Sequence, residues 1–231
     1  MGYSRAITRA VFGVELWVCR SAPRILVHSL PEKRLLSRFL GGSASVRLVS
    51  SCEFSQTLRA SSSGGAQQSL ALIADWRRFE NVEGVRAFFL SKPSKISQNN
   101  SHFSINIWGF NAEAIGRILS EVRIPWLHFE TRGSFSDYSE VRDPLIFVPI
   151  FIGAGIKIKV LEALAHGKGV VGTKAAFIGI PRSILKGVST RIETLDDLRT
   201  LKLAPPSDEE FRIFARGYSA IFEDIDIALQ V

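Results

Sequence analysis

From Leu70 onward, short strand-like apolar runs alternate with helical stretches, and this alternation constrains the fold more than any other feature. Residues 70–74, 104–108, 124–129, 145–150 and 169–173 read as strands, and 82–90, 112–122 and 156–166 as helices. The run 145–150 is almost wholly apolar, as expected of a strand buried on both faces. Helix 112–122 gathers Ile115, Ile118 and Leu119 on one side, and Gly167 stops helix 156–166. Pro125 makes 124–129 a short or edge strand. Alternation at this spacing implies a parallel sheet with helices on both faces. With right-handed crossovers this is an α/β, Rossmann-like unit.

The chain before Leu70 differs. Residues 7–18 read as a helix, 24–28 as a strand, 31–40 as a helix with Pro31 in its first turn, and 46–49 as a strand. Residues 51–69 shift to Ser, Gly, Gln and Thr, a linker composition. The expected organisation is a partial α/β unit at 1–50, a linker at 51–69, a Rossmann-like domain at 70–206 and a terminal helix at 207–231. Ser207 and Glu210 fit a capping box at the start of that helix. Phe211, Phe214, Tyr218, Ile221, Phe222, Ile225 and Leu229 then form an apolar stripe, which favours core packing over partner binding.

Composition excludes several classes. Hydrophobic residues make up 46% and charged residues 22%, which is globular usage and not that of a disordered chain. No apolar run nears the roughly 18 to 20 residues that span a bilayer. The net charge of +7 is concentrated before Ser69, where nine basic residues face three acids. No nucleic-acid motif or aromatic interleaving accompanies this excess, so no nucleic-acid partner is expected. A solvated basic face and a peripheral contact with an anionic membrane are the two readings left. Cys19 and Cys52 form neither a disulfide framework nor a metal spacing, which suits a cytoplasmic protein with no metal site.

The segment 148–173 carries the chemistry. A buried strand leads into a turn of Gly153, Ala154 and Gly155, followed by Ile156 and a helix. Small residues there let a ligand approach the backbone, and free amides at a helix start favour phosphate. Lys157 and Lys159 add positive charge on the first turn, or serve as plain helix-surface charges. Glu162, about two turns in, is a carboxylate able to accept hydrogen bonds from vicinal hydroxyls such as those of ribose. His166 stands at the helix end, where capping is its expected role. The turn is not a P-loop and lacks the third glycine of a dinucleotide fingerprint, which argues against an NAD-dependent oxidoreductase.

As a whole, this segment resembles the donor-binding signature of the family 4 (group 1) glycosyltransferases with the GT-B fold. The matching features are the Gly-x-Gly-Ile-Lys-x-Lys-x-x-Glu-Ala-x-Ala-x-Gly pattern ending at Gly167, the Val170–Val171 strand, and Gly179–Ile180. The stretch 72–85, with Arg77, Arg78, Asn81 and Val82, is similar to the family's opening strand and loop. The resemblance implies that Glu162 binds the ribose of a nucleotide sugar. It implies that the turn from Gly153 to Lys157 holds the diphosphate or sugar, and that Arg77 or Arg78 reaches the diphosphate. Arg77 and Arg78 read equally well as surface residues. Many members carry a first glutamate where this chain has Ala154, and a proline where it has Gly169.

The implied activity is glycosyl transfer, with retention, from a nucleotide-diphosphate sugar to a carbohydrate or lipid-linked acceptor, as in polysaccharide biosynthesis. The donor would be a substrate, with no separate cofactor, and no catalytic residue is assigned. Since GT-B enzymes pair two Rossmann-like domains, residues 1–50 resemble the tail of a truncated N-terminal, acceptor-binding domain. The alternative is a non-catalytic nucleotide-sugar-binding module or an inactive remnant of such an enzyme.

Overall fold

The computed structural model describes residues 15, 17–41, 45–50, 69–90, 103–122, 124–152, 155–201 and 204–226, with side chains as far as Ile221. The chain divides into two compact units, Met1–Ser51 with Ala220–Val231, and Cys52–Ser219. Most of the expected helix 7–18 and all of the Ser/Gly-rich stretch except Ser69 lie outside the described residues.

The first unit contains strand β1 (Arg24–Val27), helix α1 (Leu30–Leu40) and strand β2 (Ser45–Leu48). The strands pair in parallel, Ile25 opposite Val46. Helix α1 begins one residue earlier than expected because Ser29 caps it, accepting from the Glu32 amide at 3.3 Å. Gly41 stops it in the left-handed conformation, φ 56°, where a glycine costs least.

The second unit is built on strands β3 (Ser69–Ile73), β4 (Phe103–Trp108), β5 (Leu127–Gly133), β6 (Leu145–Val148), β7 (Gly169–Gly172) and β8 (Ser189–Arg191). Its helices are α2 (Phe79–Phe89), α3 (Ala112–Ser120), α4 (Ile158–Ala165), α5 (Arg182–Leu185) and α6 (Leu195–Thr200), with α7 (Asp208–Asp226) entering it as far as Ser219. All strand pairs are parallel, in the order β5-β4-β3-β6-β7-β8. Successive connections therefore run outward from β3 in one direction, and outward from β6 in the other. This is a Rossmann-like α/β sheet, and Ser69 belongs to its first strand, not to a linker.

Strand alternation sorts the core into two layers. Leu70, Leu72, Ile105, Ile107, Leu145 and Phe147 pack with α2, α3 and α6 in one cluster. Phe88 meets Phe147 edge-on at 5.0 Å and Phe89 meets Phe129 at 5.2 Å. Ala71, Ile73, Ile146, Val148 and Val170 point to the opposite face and are buried there. Val160, Leu161, Ala163 and Leu164 of α4, which packs on β7, belong to this second layer. The stripe of α7 is buried at Phe211, Phe214 and Tyr218 and half-buried at Ile221. Its capping box is present as well. The Glu210 carboxylate accepts from the Ser207 amide at 2.7 Å, and the Glu210 amide donates to Ser207 Oγ at 3.3 Å.

Strand β5 is an edge, as Pro125 suggested, but it runs four residues beyond Phe129. Its charged extension is held by Arg132, which bonds Glu130 Oε2 at 2.7 Å and Asn106 Oδ1 at 3.1 Å. The return from β5 to β6 carries only a short 3-10 turn, Tyr138–Glu140. Buried Lys168 fastens that segment, its ammonium donating to the carbonyls of Val141 and, at 3.1 Å, Asp143.

Candidate functional site: a cationic crevice where the strand order reverses

Between β3 and β6 the chain leaves the sheet in opposite directions, and the strand ends part to form a crevice. Open α/β sheets bind ligands at this position. Here the crevice has a volume of about 650 Å³, within the range of small-molecule sites. Two glycines shape it. Gly109, at φ 117°, follows β4, and a Cβ there would sit 1.9 Å from the Ala74 carbonyl oxygen. Gly84 of α2 would place a Cβ 2.4 Å from the Pro149 oxygen, so α2 lies directly against the end of β6.

The start of α4 enters the crevice. It begins at Ile158, two residues later than the sequence suggested, with Lys157 in extended conformation as its N-cap residue. No side chain caps this helix. Lys157 therefore precedes the first turn, and its ammonium donates to the Gly155 carbonyl at 3.0 Å. Gly155 itself takes φ 70°. Gly153 and Ala154 lie outside the described residues.

Lys159 is the central cation. Its ammonium donates to Asn81 Oδ1 at 2.9 Å, joining α4 to α2 across the crevice. Burial is the main force lowering its pKa to about 8, with Arg78 and Lys157 acting in the same direction and Glu80 opposing them. Asn81 is fixed in turn by donating to the Asp75 carbonyl at 3.0 Å.

Arg78 lines the crevice and pairs with Glu80 at 2.5 Å. Glu80 is held below the usual carboxylate range, chiefly by a hydrogen bond from its own amide and then by Arg78. Arg77 sits apart on the rim. Its guanidinium forks onto Asp75, at 2.9 and 2.8 Å, and lies 4.1 Å from the centre of the Phe110 ring. That fork is the chief reason the Asp75 pKa falls to about 2. Three cations, Arg78, Lys157 and Lys159, thus line the crevice with two carboxylates, Asp75 and Glu80, and Phe110, Phe135 and Ile152 supply apolar wall.

Of the residues singled out in the sequence, Arg78, Ile156, Lys157 and Lys159 line one cavity. Glu162 is partly buried just over one turn into α4 and is not part of that lining. Its Oε2 stands 3.5 Å from the Tyr138 hydroxyl, which also donates to the Lys159 carbonyl at 3.3 Å. His166 caps α4 as expected, its amide donating to the Glu162 carbonyl at 3.1 Å while its ring stacks on Tyr138 at 5.2 Å. Sequence reasoning did not single out Asp75, Glu80 or Asn81 as site residues, although all three fall in the stretch that resembles the family's opening loop.

No protein-family model matches the chain, and no curated protein does. Solved structures do match it. The pneumococcal O-GlcNAc transferase GtfA, solved with UDP and GlcNAc, superposes with a TM-score of 0.52 at 11% identity, over 87% of this chain and 40% of its own. TarM gives 0.52 at 13% identity, over 92% and 42%. HepE of Anabaena, solved with UDP-glucose, gives 0.53 at 11% identity, over 90% and 62%. These likenesses define the class: the parallel sheet with its flanking helices is a Rossmann-like half of the GT-B type. The chain spans between 40% and 62% of the length of these three structures.

Proposed function

We propose that the crevice binds a nucleoside-diphosphate sugar and that the chain serves in glycosyl transfer. The observation that carries this reading is the convergence of Arg78, Lys157, Lys159 and the uncapped start of α4 at the point of strand reversal. Unsatisfied amides, the helix dipole and three ammonium or guanidinium groups together suit a diphosphate. The same groups would stabilise the charge that develops on a departing nucleoside diphosphate, the main electrostatic contribution available here. Phe110 and Phe135 offer faces for a base or sugar. UDP is the first candidate, because GtfA and HepE were solved with UDP or a UDP-sugar.

The motif supports the finer reading of a family 4 (group 1) enzyme acting with retention on a carbohydrate or lipid-linked acceptor. In that reading Gly153 and Ala154 complete the turn around the sugar, and Glu162 reaches the ribose after leaving Tyr138. Among the described residues no helix is long and apolar enough to cross a membrane. The second reading, a binding module without transfer, is favoured by Ala154, which stands where many members carry a glutamate.

Calorimetric titration with UDP, GDP and NAD separates these readings. Saturable binding of a nucleoside diphosphate that Lys159→Met weakens is the expected result. Binding of NAD alone, or of nothing to a folded protein, would remove the donor-site reading. Donor binding without hydrolysis or transfer across a panel of acceptors would select the binding module.

A further inference from the structure

A second concave site lies at the β8 edge of the sheet and shares no residue with the crevice. It is a cleft of about 420 Å³ formed where the chain leaves β7, passes through a 3-10 turn (Lys174–Phe177) and α5, and returns as β8. Gly172 permits the turn to fold back, since a Cβ there would lie 2.9 Å from Ala176 Cβ. Four cations from successive segments converge on the cleft: Lys174, Arg182, Lys186 and Arg191. No acidic side chain lines it.

Elsewhere in this unit several surface arginines have an acid at hand. Arg77 pairs with Asp75 at 2.8 Å, Arg86 with Glu83 at 3.0 Å, and Arg132 with Glu130 at 2.7 Å. In the cleft only Arg191 does, bonding Glu193 at 2.6 Å, and that carboxylate is further occupied by the Lys174 amide at 2.9 Å. The side chains of Lys174, Arg182 and Lys186 make no ion pair with any described residue. Gathering like charges on a concave surface focuses their field and costs self-repulsion that a bound anion relieves. The floor is apolar, with Ile180 and Leu185 buried beneath the cations and Phe177 beside them.

We propose that this cleft binds a phosphate monoester carrying an apolar body. A phosphate monoester is close to a dianion at neutral pH, its second pKa being about 6, and it accepts several charge-assisted hydrogen bonds. Arg182 and Arg191 offer planar forks to it, and Lys174 and Lys186 offer point charges. Inorganic phosphate would leave the Phe177, Ile180 and Leu185 surface against water, so the apolar body contributes to affinity by burying it. The ligand chemistry is common to a soluble organic phosphate and to a phosphatidic-acid headgroup.

The test titrates the full chain with n-hexyl phosphate, hexanol and inorganic phosphate, and sediments it with phosphatidylcholine vesicles containing phosphatidic acid. The double variant R182Q/K186Q is compared with the wild type and with K159M, which alters the other site. Saturable binding of hexyl phosphate is expected, with hexanol not binding and inorganic phosphate weaker. The double variant should bind about ten-fold or more weakly, while K159M matches the wild type. Vesicle binding that the double variant loses identifies the lipid source, and binding of the soluble ester alone identifies the free one. If the double variant melts early, K174Q replaces it. Absence of binding in both arms, or binding equally strong in the cleft variants, overturns the proposal.

Discussion

Two kinds of helix start coexist in the second unit. At α6, Thr194 and Asp197 close a reciprocal box: the Asp197 amide donates to Thr194 Oγ1 at 3.1 Å, and the Asp197 carboxylate accepts from the Thr194 and Glu193 amides at 2.9 and 2.8 Å. At α7, Ser207 and Glu210 do the same. Both helices complete their own hydrogen bonding, and the Asp197 and Glu210 carboxyls sit below their ordinary pKa because of it. At α4 the N-cap position is a lysine that caps nothing, and the second helical residue is a half-hidden cation pushed towards neutrality by burial. Closed starts hold the fold together, whereas the open start leaves amides and charge for something else to satisfy. The same sheet thus separates residues that contribute to stability from residues that contribute to binding.

Substitutions on the two sides should diverge. The largest effect is expected from Gly109→Ala, which drives a Cβ into the Ala74 backbone at a positive φ. It should cost about 3 kcal/mol or more in chemical denaturation and remove ligand binding together with stability. Lys168→Ala should come next, at about 2–4 kcal/mol, because it strands the Val141 and Asp143 carbonyls that the buried ammonium satisfies. Its nucleotide affinity should stay unchanged once the protein is folded. Lys159→Met should invert that pattern, weakening a nucleoside diphosphate about ten- to thirty-fold by calorimetry, through loss of a charge-assisted contact. Its melting temperature should hold or rise, because no ammonium is then buried. Thr194→Ala should cost about 1 kcal/mol and leave binding untouched.

The smallest effect lies in pH. Burial lowers the Lys159 pKa to about 8 from the ordinary lysine value of 10.5, so between these values the unfolded chain binds the extra proton and stability rises with pH. A bound anion favours the charged form, so diphosphate affinity should fall as pH climbs through 8. Titrations at pH 7 and pH 9 check both signs, and K159M should flatten the difference.

Sequence reading succeeded where burial is strong and failed where direction matters. Strand β6 was legible because Leu145, Ile146, Phe147 and Val148 are all buried, leaving no polar residue to interrupt the run. The α7 box was legible because capping residues act over three positions. The start of α4 was misjudged because Ile156 and Lys157 have ordinary helix propensity, and the extended backbone that displaces them follows from Gly155 and the path out of β6. Strand β5 was cut short because Glu130, Thr131 and Arg132 look like a loop, yet an edge strand tolerates charge when a neighbour such as Asn106 anchors it. Lys159 was picked out by its type and its place at the helix start, and Arg78 only as one of two arginines that the family resemblance offered. The contact between Lys159 and Asn81, 78 positions apart, depends on the sheet order and could not be read from local pattern.

That contact also works as a clasp. Helix α2 hangs from β3 and helix α4 from β6, the two strands from which the halves of the sheet diverge. With Lys159 donating to Asn81, the spacing of these helices is fixed while the crevice is empty. An ammonium has three N–H donors and Asn81 takes one, so an anion bound there would add to this tie without having to break it. The cation is thus held in position, by one wall of the crevice against the other, before any ligand arrives.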